Sequence, residues 1–151
     1  MGRWITEEPL ALEPLLQETD DHGSGALLVF YGTVRNTNEG RPVKSMAYEA
    51  HISMAEKVLR ELEQEVIEKF NARHCRIIHR IGHLALGEPS VIIVVRSAHR
   101  ADGYAGSRYA IDELKQRAPI WKEEHYADGD SQYLDGVPLR KSAGKPEQAK
   151  E

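Results

Sequence analysis

The segment at residues 90–98 (SVIIVVRSA) constrains the fold most. Its centre, residues 91–95, is an unbroken apolar run of mostly β-branched residues. A run this short, closed by polar residues, reads as a buried strand. No apolar run in the chain comes near the ~18 residues of a membrane-spanning helix. A buried strand needs partners in a sheet and a layer packed on it, and the flanking segments have the patterns to supply both.

Residues 25–35 (GALLVFYGTVR) read as a second buried strand, and residues 3–8 as a short one. Residues 36–42 (NTNEGRP) form a loop by their Asn, Gly and Pro content, and residues 43–50 the next strand of a hairpin. Residues 10–19 carry Leu12, Leu15 and Leu16 at helical spacing. Residues 53–71 form the clearest helix. Ser53 and Glu56 match a capping box, and Ala55, Val58, Leu59, Leu62, Val66 and Phe70 line one face. Glu61, Glu63, Glu65 and Glu68 read as its solvated side. Residues 74–84 are a strand and 85–89 a turn. Residues 101–117 are a helix with Tyr104, Ile111 and Leu114 inward, ended by Pro119. Residues 120–126 and 132–134 form a closing hairpin. Hairpins interleaved with helical crossovers predict an α+β domain with a mixed sheet and helices packed on it. Residues 1–140 form one domain, and residues 141–151 (KSAGKPEQAKE) a flexible tail with almost nothing to bury.

The chain has 151 residues, 40% hydrophobic and 29% charged, which suits one globular domain. Acidic residues outnumber basic ones, 24 to 20, for a formal charge of −4. That balance argues against a nucleic-acid partner, whose binders carry a basic excess. With no apolar leader stretch near the N-terminus, the expectation is a cytoplasmic protein without membrane attachment. The one cysteine, Cys75, excludes an internal disulfide and a cysteine-built zinc site, and reads as inert packing. His79 and His83 alternate onto one strand face near His74, but no metal motif accompanies them.

Three places hold chemistry despite the acidic total. His99 and Arg100 follow the strand at 90–98 and open a helix, where free N–H groups and the helix dipole favour anions. Arg35, after Thr33 and Val34, ends another buried strand, where an arginine grips a phosphate in a two-pronged hydrogen bond or covers a sheet edge. Lys115 and Lys122 flank the Pro119 break. On spacing alone they are either two surface lysines or a convergent pair. No P-loop, GxGxxG or GxSxG is present.

Taken together, residues 25–36 (GALLVFYGTVRN), YEA at 48–50, MAEK at 54–57, HRIG at 79–82, LGE at 86–88, AHR at 98–100 and LKQRAPIWKE at 114–123 resemble the molybdopterin synthase catalytic (large) subunit family. The resemblance implies an α/β hammerhead-type mixed sheet with packed helices and a small antiparallel β subdomain. It implies a sulfurtransferase of molybdenum cofactor biosynthesis, with no metal or other cofactor. Its substrate is cyclic pyranopterin monophosphate, and its sulfur comes from the thiocarboxylated C-terminus of a small ubiquitin-like carrier subunit. It implies a homodimer within a heterotetramer. By resemblance the catalytic lysines are Lys115 and Lys122, and substrate also meets Phe30, Thr33, Val34, Arg35, His99, Arg100, Glu123 and Glu124. Of the two, Lys115 takes the principal role, its uncharged form favoured by neighbouring cations. Some family members add a C-terminal arginine from the second large subunit. The region after Asp130 does not align with theirs, so that role is not carried over to Arg140. A non-catalytic anion- or nucleotide-binding module using the same Arg35 and His99–Arg100 cluster is the alternative.

Overall fold

The computed structural model describes residues 2–129 and 131–133. Along the chain run β1 (Ile5–Thr6), α1 (Glu13–Glu18), β2 (Ala26–Thr33), β3 (Thr37–Asn38), β4 (Arg41–Ala50), α2 (Ile52–Phe70), β5 (His74–Arg80), β6 (Gly82–Ala85), β7 (Pro89–Ser97), α3 (Arg100–Arg117), β8 (Ile120–Tyr126) and β9 (Ser131–Tyr133). The mixed α+β expectation holds. The segment at 74–84 is two strands rather than one, and the loop at 36–42 contains the short β3. Leu134, Arg140 and the tail at 141–151 lie outside the described residues.

Two sheets share the work. The first has the order β1-β5-β7-β2, with β7 antiparallel to both β5 and β2, and β1 parallel to β5. Its inner residues Val91, Ile93 and Val95 pack with Ile77 against Leu59, Leu62 and Val66 of α2 and Ala110 and Leu114 of α3. On the other face Ile92 and Val94 meet Leu15 of α1. The second sheet has the order β3-β4-β8-β9, with β6 on β4 as well. Residues 25–35 and 43–50 are therefore not a hairpin: β2 pairs with β7, and β4 with β8 and β6. Gly82, at φ +96°, takes a left-handed conformation that lets the chain leave the first sheet after β5 and enter the second as β6.

Three local readings change. The cap of α2 is His51, whose Nδ1 accepts from the Met54 N–H at 3.4 Å, rather than a box of Ser53 and Glu56. The helix starts earlier than the pattern suggests because the His51 N–H is already held by the Pro119 carbonyl at 3.1 Å. Tyr104 is 64% exposed. The buried stripe of α3 is Gly103, Gly106, Ala110 and Leu114, and a Cβ on Gly103 would run into Leu28 and Ser97. This helix packs by being small rather than by being apolar. Glu63, read as solvated, is buried. It accepts from Arg76 Nη1 at 2.7 Å and from the Ile77 N–H at 2.8 Å. Arg76 also donates to Glu18 at 3.0 Å and to the Arg3 carbonyl at 2.8 Å, tying the N-terminal segment to β5.

Removing one member of such a pair leaves a charge buried without its partner. Glu63→Ala is expected to cost about 3 kcal/mol or more of folding stability by urea denaturation. A loss under 1 kcal/mol contradicts this reading.

Candidate active site

The two sheets and α3 meet at a seam that holds a cavity of about 340 Å³. β2 brings Phe30, Gly32 and Thr33 to it, and β7 brings Ser90 and Val91. Tyr48 comes from β4, His79 from β5, Lys122 from β8, and Ile111, Leu114 and Lys115 from the last turns of α3. Arg35 reaches in from beyond the end of β2.

The positions follow from local structure. Leu114 is buried and its carbonyl accepts from the Ala118 N–H at 2.9 Å, which ends α3 one turn past the cavity. Only Ala118 and Pro119 separate α3 from β8, so the chain turns back and returns Lys122 toward Lys115. Arg117 fixes that last turn through Glu65 of α2, at 2.8 and 2.9 Å, and Tyr109 donates to the same carboxylate at 2.6 Å. Glu65 is thus a clamp rather than a solvated residue. On β8, side chains alternate. Lys122 lies on the face of Ile120, Glu124 and Tyr126, all buried. Its strand partner on β4 is Tyr48.

Arg35, Lys115, Lys122, Phe30 and Thr33 therefore share one hollow. Val34 does not line it. That residue is buried, and its backbone exchanges hydrogen bonds with Glu88 and Gly87 at 3.1 and 2.8 Å, anchoring the base of Arg35. Glu124 is buried beside Lys122 and accepts from the Tyr126 hydroxyl at 2.6 Å. Glu123 projects from the opposite face of β8 and pairs with His125 at 3.5 Å, because neighbouring strand residues point to opposite sides. His99 and Arg100 are exposed at the N-terminus of α3. Fifteen residues of helix, about 22 Å at 1.5 Å each, separate Arg100 from Lys115. Within one chain these two stand apart from the hollow.

Electrostatically the hollow is cationic. Among the described residues none forms an ion pair with Arg35, Lys115 or Lys122. Burial holds Lys122 below the ordinary lysine value, Lys115 and Arg35 push the same way, and Glu124 opposes them. Two cations, Lys115 and Arg35, thus crowd Lys122. In the sequence His79 reads only as part of the HRIG stretch at 79–82 and of a conceivable metal face with His83, with no role of its own at the site. It does not share a strand with His83: His79 is on β5, and His83 is on β6 with its ring 5.4 Å from that of His125. No three His, Cys, Asp or Glu side chains among the described residues gather in a way that could hold a metal ion. Cys75 is buried, and its thiol is pushed up by that burial and by Glu63. His79 is fully buried at the inner wall and held neutral, with its pKa lowered to about 4 by burial and by Lys122, against the backbone bond to Arg80.

An unfolded imidazole binds its proton near pH 6.5 and the folded one only near 4. Between those values the unfolded chain holds more protons, so stability falls as pH falls through this window. From pH 7 to pH 5 His79 is expected to remove about 2 kcal/mol of stability. Urea unfolding at both pH values, for the native chain and for His79→Gln, measures the difference. An equal pH dependence in both contradicts a neutral His79.

Comparison with known proteins places this geometry in a family. A family model described as MoaE protein matches residues 5–117. A molybdopterin synthase catalytic subunit of Halalkalibacterium halodurans is 40% identical over 126 residues, covering 83% of this chain and 81% of its own. One from Bos taurus is 41% identical over 129 residues, covering 85% and 68%. A solved molybdopterin synthase structure from Staphylococcus aureus superposes with a TM-score of 0.82 at 38% identity, over 89% of this chain and 98% of that one. A complex of subunits 1 and 2 of molybdopterin-converting factor from Helicobacter pylori shares the fold, with a TM-score of 0.72 at 19% identity, over 89% of this chain and 91% of that one. With a family match over most of its length and relatives at about 40% identity across more than four-fifths of it, the chain belongs to the MoaE family of molybdopterin synthase catalytic subunits.

Proposed function

We propose that the cationic hollow transfers sulfur from the thiocarboxylated C-terminus of a small ubiquitin-like carrier to cyclic pyranopterin monophosphate, building the molybdopterin dithiolene. The observation that carries this reading is the convergence of Arg35, Lys115 and Lys122 on one cavity. The substrate carries a cyclic phosphate that opens during the reaction, so negative charge must be held before and after. Fixed cations in a sheltered pocket do this more strongly than the same groups in water. A thiocarboxylate is already a sulfur nucleophile, which suits a cavity lined by no cysteine, in a chain whose Cys75 is buried in the core with a raised pKa. The chemistry needs no metal. Proton handling falls to Lys115 and Lys122. Burial and neighbouring cations ease proton release from Lys122, and Lys115 at the exposed mouth faces the reacting groups and serves as general acid/base or as transient acyl acceptor. Glu124 tunes Lys122 from its own strand.

The carrier's glycine tail is thin enough to enter the hollow. His99 and Arg100 join the site from a second copy of the chain. A homodimer is supported by β2, an edge strand whose Leu27, Val29 and Tyr31 are about 40% exposed because α1, six residues long, covers only the neighbouring strands. With one carrier on each copy the assembly is a heterotetramer. The reaction belongs in the cytoplasm; no helix among the described residues is long and apolar enough to cross a membrane.

Lys115→Ala, given substrate and thiocarboxylated carrier, is expected to lose at least ~10²-fold in dithiolene formation with its thermal transition unchanged. Near-normal turnover overturns the assignment and favours a non-catalytic anion-binding module. Mixing inactive Lys115→Ala and Arg100→Ala proteins is expected to restore activity, since a mixed dimer holds one intact site. No recovery after verified subunit exchange contradicts a shared site.

A further inference from the structure

His79, like Tyr48 beside it, is a buried titratable wall of the cavity that the proposed reaction leaves without a task. It is 1% exposed on β5, and its Nδ1 lies 2.8 Å from the Arg80 carbonyl. A carbonyl only accepts, so Nδ1 carries the hydrogen, and in the neutral ring Nε2 then keeps a lone pair. No described residue donates to that lone pair. Nε2 is also absent from the polar atoms sealed away without a partner, and His79 lines the cavity, so the little surface the ring retains opens there.

The donors within reach are few. Among the described residues no hydrogen bond joins the Tyr48 hydroxyl to His79, and the nearby Ser90 hydroxyl donates to the Gly32 carbonyl at 3.2 Å. Tyr48 stands between the other two groups: its ring lies edge-on to His79 at 5.0 Å, and its strand partner is Lys122. His79 and Lys122 line the same cavity, and the charge of Lys122 acts on His79. We propose that His79 is a positioning residue for Lys122, its Nε2 accepting from the lysine head group directly or through one water, so that the ammonium is held against the inner wall of the cavity. The acceptor stands on the free Nε2 and the shared cavity, and only its effect on turnover rests on the sulfur-transfer reading.

The groups facing Lys122 are Lys115 from α3, Arg35 beyond β2, Glu124 on β8, Tyr48 on β4 and His79 on β5. A neutral acceptor steadies the ammonium form, so its loss lets Lys122 release its proton at lower pH. Lysine side-chain NMR on the full chain, with the Lys122 signal assigned by Lys122→Ala, reads this directly. His79→Leu is expected to lower the Lys122 midpoint by about one pH unit, a tenfold change in proton affinity. His79→Gln, whose amide oxygen reaches the Nε2 position, is expected to keep the native midpoint. Should the leucine variant not fold, His79→Asn, too short to reach, replaces it with the same expectation. An unchanged midpoint in a folded Leu or Asn variant overturns the proposal. If the midpoint moves but the acid limb of the turnover–pH profile does not, the placement of His79 stands and the sulfur-transfer reading of the pocket fails.

Discussion

Like charges kept close together in a partly dry site are the constraint on which the rest of this structure depends. Arg35, Lys115 and Lys122 repel one another, and burial adds to the cost for Lys122. A fold tolerates such a cluster only if its backbone leaves the cations no way apart. Here the restraint is covalent and local: two residues link α3 to β8, Leu114 and Ala118 close the helix, and the Arg117–Glu65 clamp holds its last turn against α2. Such a local cluster suits the cavity to the anionic substrate proposed for it, although the chain as a whole is acidic.

The remaining architecture serves that seam. β7 is the spine, buried on both faces, and it sets the register of β2 and β5, which carry Phe30, Thr33 and His79 to the same edge. Gly82 turns the chain from one sheet into the other, and this brings β4 and β8 alongside. Tyr48 and Lys122, partners in register, then line the same cavity as His79. The buried Arg76–Glu63 pair is structural rather than chemical: it closes the far face and tethers the N-terminal segment.

Much of this was legible in the residues. The run at 91–95 announced the central strand, and Pro119 announced the break that returns Lys122. The pairing of strands was not legible, because β2 and β4 are separated by a plausible turn yet seek different partners, and only the burial of β7 decides between them. The cap at His51 was hidden because it depends on Pro119, far away in sequence. Glu63 was misread because helical periodicity cannot announce a distant arginine. Tyr104 was misread because the inward stripe of α3 is made of glycine and alanine, which carry little apolar signal. At the site, spacing left Lys115 and Lys122 open between a pair and two bystanders, and the fold joined them. His99 and Arg100 matched a family motif but stand a helix length away, so a single chain leaves that part of the cluster incomplete.

The most direct test of the account is a crystal structure of the protein with cyclic pyranopterin monophosphate bound. The account predicts the phosphate within hydrogen-bonding distance of Arg35, Lys115 or Lys122 of one copy, with Arg100 of the second copy closing over it. Substrate density at any other surface, with the hollow between the sheets left to solvent, would contradict it.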